Sequence, residues 1–174
     1  MCKVKKGIND MNTMNININF TAPSIICFDM DGTIADLYAV NNWLNMLRAY
    51  DPTPYATAEP MWDMETLADV LNLLRAKGIE IHIITWLSKE TTAEYDKAVR
   101  VAKREWLEKY GFPFDHFHGV RYGATKADSI RRTLPKGETA WLFDDNADVR
   151  KGWHMGEAID PTACDIIEML RGLL

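Results

Sequence analysis

Short apolar runs of strand length alternate with helical patterns along most of this 174-residue chain. The runs that favour strands are residues 24–28, 78–85, 116–122 and 139–145, with a short fifth at 157–160. The helical patterns that accompany them are residues 63–78, 91–111 and 165–174. Strands that alternate with helices require crossover connections, which give a parallel sheet with helices on both faces. The pattern therefore predicts an α/β fold, a three-layer Rossmann-like sheet.

Length and composition predict one folded domain. Hydrophobic residues make up 47% of the chain, which is enough for one core, and the chain is too short for two comfortable domains. Residues 1–22 are polar and rich in Asn, so we expect a flexible N-terminal arm, although the alternation of NININF (15–20) leaves an added edge strand open. Residues 23–174 are predicted to form the single domain.

Charge and cysteine usage indicate which partners and which cellular compartment to expect. The formal net charge is −5, which speaks against a resident nucleic-acid partner, because such affinity depends on cations that meet phosphates. Nucleic acid stays open as a substrate. The three cysteines are odd in number and have no CxxC spacing, which indicates reduced thiols and a cytoplasmic location. No apolar run is long enough for a membrane span, and the N-terminus has no signal-peptide pattern, so no membrane association is expected.

Polar side chains stand where the predicted strands end. They are, in chain order, Asp29, Asp31, Thr85, Lys126, Asp144 and Asp145. In open parallel sheets the ligand binds beyond the carboxyl ends of the strands. The sequence therefore predicts that acids, a hydroxyl and an amine meet at one rim of the sheet.

The acids of this rim predict a metal site. Asp29, Asp31, Asp144 and Asp145 would repel one another if no cation lay between them. Mg²⁺ suits an oxygen-only ligand set, because a few carboxylates, water and a substrate phosphate satisfy it. We therefore expect Mg²⁺ as the cofactor, and whether Asp144 or Asp145 binds it directly stays open.

The remaining rim residues predict a phosphate site. Thr85 offers a hydroxyl donor and Lys126 a positive charge, both suited to phosphate oxygens. The turn at Gly32 frees backbone amides around Met30 that add donors. Trp86 follows Thr85 directly and is expected to line the same pocket. Such a site favours phosphoryl transfer, in which positioning and charge neutralisation do most of the catalysis.

These motifs resemble a known family. The DMDGT segment (29–33), Thr85, Lys126 and the Asp144-Asp145 pair are similar, in the same order, to the four signature motifs of the haloacid dehalogenase (HAD) superfamily. The resemblance covers roughly residues 24–160, and its DxDGT element is the most specific part. It implies a HAD-like catalytic domain at residues 23–174.

The resemblance also implies a reaction. An Asp at the second position of DxD is typical of the family's phosphatases and not of its dehalogenases, so the implied activity is Mg²⁺-dependent hydrolysis of phosphomonoesters. Asp29 would be the nucleophile that forms an aspartyl-phosphate, and Asp31 would be the general acid and then the base, with its backbone carbonyl on the metal. Thr85 and Lys126 would hold the phosphoryl oxygens. Asp144 would bind Mg²⁺ directly, and Asp145 would lie in or just outside the ligand shell of the ion.

The family's substrate range depends on inserted caps, and this chain has room for little. Between Gly32 and Met64 we expect one helix (39–50) and a Pro-rich loop, which gives a capless or minimally capped, open site. Open sites in the family serve large phosphorylated substrates, such as polynucleotide ends, or borrow a lid from a neighbouring subunit, so an oligomer stays open. The DMDGTIADLY start also resembles the deoxyribonucleotidase-like branch, which acts on nucleoside monophosphates.

Aromatic side chains are candidates for contact with a nucleobase. They are Tyr38, Trp43, Tyr55 and Trp86, which offer a stacking surface. The substrate is therefore expected to be a small phosphorylated metabolite or a nucleotide, with a macromolecular phosphate as the alternative.

Two functions other than catalysis are alternatives for this chain. A receiver-like signalling module is also a parallel α/β fold with acids, a Thr and a Lys at one rim, but it keeps its acceptor Asp alone on a middle strand. A degenerate binding protein is disfavoured because no motif residue is missing. Catalytic release of phosphate would distinguish an enzyme from both.

Other notable residues have plain structural explanations. Trp106, Trp141 and Trp153 are expected to pack in or near the core, and Asp36 to cap a helix. His116 and His118 share one strand face, but without further Cys or His ligands near them the sequence predicts no zinc site.

Overall fold

The computed structural model describes residues 22–89 and 91–174. The strands within those residues are β1 (Ile25–Phe28), β2 (Ala35–Asp36), β3 (Glu59–Pro60), β4 (Glu80–Trp86), β5 (His116–Val120), β6 (Ala140–Phe143) and β7 (Ala158–Ile159). Five of them pair in parallel in the order β5–β4–β1–β6–β7, and β2 and β3 form a separate antiparallel pair. The predicted parallel α/β sheet is confirmed.

Helices connect these strands. They are α1 (Trp43–Arg48), α2 (Thr53–Thr57), α3 (Met64–Ala76), α4 (Ala93–Lys109), α5 (Ala147–Gly152) and α6 (Ile166–Arg171), with 3₁₀ turns at Leu37–Ala39 and Lys126–Ser129. The α3 helix begins after Asp63, whose side chain accepts a hydrogen bond from Thr66 N. The α4 helix is capped in the same way by Thr92, whose side chain accepts from Tyr95 N. Asp36 caps the first 3₁₀ turn, as expected.

Alternate residues of the central strand β1 face two separate apolar layers. Ile26 and Phe28 pack with residues of α3, α4 and α6, whereas Ile25 and Cys27 pack with the 3₁₀ turn at Lys126–Ser129 and with Trp153. The three tryptophans that were expected to pack are all buried. Because helical elements cover both faces, the sheet is the middle layer of three.

The segment between Gly32 and Met64 differs from the prediction. The helix expected at 39–50 is the shorter α1, and the Pro-rich segment, expected to be a loop, contains the helix α2. Pro54 lies in the first turn of α2, where its missing N–H costs no hydrogen bond, and Tyr55 is buried against α4. The β2–β3 pair closes the ends of the segment. The insertion is therefore two short helices and not one.

Part of the prediction concerns residues outside the described structure. The arm proposed for residues 1–22, including NININF, lies beyond the described residues except for Ala22. Within the described residues, no helix combines the length and apolar character needed to cross a membrane.

Candidate active site

The loop after β1 is a tight turn built on Gly32. The carbonyl of Met30 accepts hydrogen bonds from the amides of the three residues after Gly32. Gly32 has φ +75°, and a Cβ there would lie 2.5 Å from Asp145 Oδ2 and 2.6 Å from Tyr38 Cε2. Only glycine fits this position. Asp31 lies on this turn, where burial raises its pKa and Asp29 is close enough for its charge to raise that pKa further.

Asp29, Asp144 and Asp145 form an acidic cluster at the carboxyl end of the sheet. Phe28 pairs with Phe143, so Asp29 and Asp144 leave neighbouring strands at the same level. Carboxylate oxygens of the three acids lie within 4.8 Å of one another. Burial, and then the charge of Asp29, raise the pKa of Asp144 to about 7 and that of Asp145 to about 6. Negative charge is therefore costly here unless a cation balances it.

Lys126 supplies part of that balance. Its Nζ lies 2.8 Å from Asp29 Oδ1 and 2.6 Å from Asp144 Oδ2, and the side chain is buried. Burial alone would lower the pKa of Lys126, but the charges of Asp29 and Asp144 outweigh it and raise that pKa. The lysine is therefore charged at neutral pH.

The acidic cluster also fits a hard cation. Asp29 Oδ1 is buried and, within the described residues, receives no hydrogen bond, because the contact with Lys126 is an ion pair without hydrogen-bond alignment. The donors of the cluster are all carboxylate oxygens. Such an oxygen-only ligand set suits Mg²⁺ better than Zn²⁺ or copper. The buried acids can therefore hold a metal ion.

Lys103 is a residue of the site that sequence reasoning missed. It projects from α4 and is fully buried. Its Nζ donates to Asp31 Oδ2 at 2.6 Å, to Thr85 Oγ1 at 2.7 Å and to the Trp86 carbonyl at 3.1 Å. A signal was present, because Lys103 follows Val99 by four residues on the apolar face of α4.

Asp31 differs from Asp29 in its surroundings. Burial raises the pKa of Asp31, and the charge of Lys103 opposes the rise without cancelling it. The side chain keeps 18% of its surface exposed. A partly accessible carboxyl with a raised pKa is suited to carry and release a proton.

The side chains of Met30 and Thr85, both predicted to contact phosphate, are buried. The Met30 side chain belongs to the core, so a phosphate contact from this residue would have to come from its backbone amide. Thr85 is fully buried, and its Oγ1 accepts from Lys103. A hydroxyl that accepts in this way keeps its own hydrogen for donation.

The acids open into a cavity of ≈ 310 Å³. Trp86 and Tyr122 line one part of it with ring centroids 4.9 Å apart, and Tyr38 and Trp43 line another with centroids 5.2 Å apart. The Trp86 indole N–H donates to the carbonyl of Ala124, so its ring acts as a wall of the cavity.

Three other cavity residues differ from the expected picture or add to it. Tyr55, expected to offer a stacking face, is only 5% exposed, and its ring lies 4.6 Å from Lys103 Nζ. The Tyr55 ring therefore packs against the Lys103 ammonium and has little surface left for contact with a ligand. Arg48 and Lys89 are exposed and add positive charge to the lining of the cavity.

Two solved structures share this fold. A chain in a structure of the Pnkp1/Rnl/Hen1 RNA repair complex matches 91% of this chain with 15% identity and a TM-score of 0.53. A chain in a structure of the Pnkp1/Rnl/Hen1 complex matches 88% with 14% identity and a TM-score of 0.54. The matches cover 46% and 57% of the solved chains, so this chain spans about half of their length. No protein-family model matches the sequence, and no curated protein matches it.

Proposed function

We propose that this protein is a Mg²⁺-dependent phosphomonoester hydrolase of the HAD type. The observation that supports it most is the arrangement around Asp29, which leaves the central strand between the Lys126 ammonium, 2.8 Å away, and the carboxylates of Asp144 and Asp145. Asp31 lies on the same turn with a pKa raised by burial. A nucleophile, an acid, a cation and a metal-binding cluster thus meet at one rim.

The reaction follows from these placements. A carboxylate oxygen of Asp29 attacks phosphorus, the bond between phosphorus and the ester oxygen breaks, and the leaving oxygen takes the electron pair and a proton from Asp31. Asp31 then removes a proton from water, which attacks the aspartyl-phosphate, releases phosphate and restores Asp29. Lys126 and the Thr85 hydroxyl hold phosphoryl oxygens, with the Met30 amide as a further donor.

Mg²⁺ held by Asp29, Asp144, Asp145 and the Asp31 backbone carbonyl would supply positive charge against the phosphoryl oxygens. Arg150 supports this part of the site, because one of its nitrogens donates to the carbonyls of Asp144 and Asp145, each at 2.7 Å.

We propose the phosphorylated end of a nucleic acid as the substrate class, with nucleoside monophosphates as the alternative. The aromatic pairs at the cavity suit nucleobases. Arg48 and Lys89 suit a neighbouring phosphodiester, which an oligonucleotide has and a mononucleotide lacks. The RNA repair complex among the structural neighbours supports the same choice. The net charge of −5 does not oppose it, because a substrate end needs only local positive charge.

Asp29→Asn tests the reaction. The change is nearly isosteric, so the fold should persist while phosphate release in Mg²⁺ falls to background. Asp96→Asn, an exchange of the same kind on α4, is the control and should keep wild-type turnover. Turnover by Asp29→Asn at the wild-type rate would refute the mechanism. If the wild-type protein forms aspartyl-phosphate once without further release, the receiver-like alternative is favoured.

A further inference from the structure

A second cluster of metal-binding side chains lies on β4 and β5, far from Asp29. Glu80 and His82 are two residues apart on β4 and therefore share a face, and His82 pairs with His116 of the neighbouring strand β5. Glu80 begins β4, whereas Thr85 lies five residues further on, about 16 Å along the strand. The cluster is thus at the opposite end of the sheet from the candidate active site.

The donor atoms of this cluster have the spacing of metal ligands. Glu80 Oε2 lies 2.9 Å from His82 Nε2 and 4.0 Å from His116 Nε2, and the three residues offer ligand atoms within 4.8 Å of one another. Zinc bonds of about 2.0–2.2 Å in tetrahedral geometry place neighbouring ligand atoms about 3.4 Å apart. The distances of 2.9 Å and 4.0 Å bracket that value, so small side-chain rotations would complete the site.

The surroundings suit an ion that enters from solvent. The His82 side chain is fully buried, whereas Glu80 and His116 keep 51% and 50% of their side chains exposed. One ligand is therefore fixed by packing, and the other two leave a path for the ion and a water. His82 Nδ1 lies 3.3 Å from His118 Nε2. A hydrogen bond there orients the His82 ring and leaves Nε2 toward Glu80, in the way that outer partners orient metal-binding histidines.

We infer that Glu80, His82 and His116 bind a zinc ion, with water as the fourth ligand. Two imidazoles and one carboxylate form a donor set that zinc accepts and Mg²⁺ does not favour. The ion would join β4 to β5, which is the edge strand on that side among residues 22–89 and 91–174. This inference corrects the expectation that His116 and His118 had no further ligands near them, since the missing ligands come from β4.

Zinc titration of the full-length protein tests the inference. The titrations are followed by calorimetry in saturating Mg²⁺, so that the acidic cluster around Asp29 does not compete for zinc. The wild-type protein should bind one equivalent of zinc and unfold at a higher temperature with it. His116→Ala removes an exposed ligand without opening the core and should weaken zinc binding by at least about tenfold.

Two more variants make the test specific. Glu80→Gln keeps an oxygen that can accept from His82 but loses the charge, so zinc binding should weaken while the fold without metal stays as stable as wild type. His154→Ala removes an exposed histidine outside the cluster and should bind zinc as wild type does. The inference fails if wild-type protein binds no zinc, which would leave a hydrogen-bonded cluster only, or if His116→Ala binds zinc as tightly as His154→Ala.

Discussion

At the scale of single residues, Lys103 shows how a buried charge is tolerated. An ammonium has three N–H donors, and Lys103 directs them to Asp31, Thr85 and the Trp86 carbonyl. All of its hydrogen bonds are therefore made inside the protein, which offsets much of the cost of removing the charge from water. The same bonds hold the Asp31 carboxyl in one orientation, so the lysine positions the proposed acid.

Lys103→Met tests that role. Methionine is similar in length but cannot hold Asp31, so kcat should fall by about tenfold or more while KM changes less. Because the charge of Lys103 opposes the rise in the pKa of Asp31, its loss should move the Asp31 limb of the pH–rate profile to higher pH. The melting temperature should also fall, since Asp31 loses its partner, and rates are therefore compared well below it.

The control for Lys103→Met is Lys97→Met, an exposed lysine of the same helix. It should keep the wild-type rate, pH profile and melting temperature. A Lys103→Met enzyme that is less stable but has an unshifted pH profile would show that the lysine supports the fold and does not position Asp31.

The motif residues and Lys103 differ in how visible they are in a sequence. Asp29 and Asp31 are predictable because their spacing with Gly32 is local and specific. Lys103 lies 72 residues from Asp31, and a lysine on a helix ordinarily points to solvent. Only the packing of α4 on the sheet joins the two. Glu80 and His116 escape prediction for the same reason, because strand pairing brings them together.

At the scale of elements, α1 is the helix of the insertion that contributes most to the cavity wall. It contributes Trp43, Leu44, Leu47 and Arg48 to the cavity wall. The length of the insertion could be predicted from the sequence, but α2 could not, because Pro-rich composition usually indicates a loop. Burial of Tyr55 against α4 stabilises the helix there, and that contact is not encoded locally.

Arg48→Ala tests the proposed substrate class through α1. If Arg48 contacts a phosphodiester next to the reacting phosphate, KM for a phosphorylated oligonucleotide should be several-fold higher in the variant. KM for a small aryl phosphate should stay unchanged. The dependence of log KM on log salt should also lose about 0.7 in slope, the value for one contact to a single strand.

The matched control is Arg132→Ala, an exposed arginine outside the cavity. It should leave both the KM for the oligonucleotide and the salt slope unchanged. If Arg48→Ala affects a nucleoside monophosphate as much as the oligonucleotide, the mononucleotide alternative is favoured, while the proposed phosphatase chemistry stands.

At the scale of the whole molecule, the order of the strands explains how the residues of the candidate active site come together. Alternation of strands and helices predicts a parallel sheet and hence a common rim. It does not predict the order β5–β4–β1–β6–β7, which depends on contacts between residues far apart in the chain. That order places β1 between β4 and β6. Asp29 therefore stands between Thr85 and Asp144, and all three are buried by the layers on both sides.

Burial of the acidic rim gives the stability of the metal-free protein a characteristic pH dependence. The pKa of Asp144 is about 7 in the folded protein, because of burial and the charge of Asp29, against 3.8 without those effects. Between these values the folded state binds more protons than the unfolded state, so stability falls as pH rises through about 7. In EDTA, the melting temperature should therefore be lower at pH 8.0 than at pH 6.5.

Mg²⁺ should reverse this pattern if the acidic rim holds it. The ion requires deprotonated carboxylates, so it binds more tightly as the pH rises, and ligand binding to the folded state raises the melting temperature. We expect a larger increase on addition of Mg²⁺ at pH 8.0 than at pH 6.5. Asp144→Asn should flatten the pH dependence in EDTA and reduce the effect of Mg²⁺ together, because one carboxylate causes both. A variant that loses the pH dependence yet responds fully to Mg²⁺ would mean that the metal binds elsewhere.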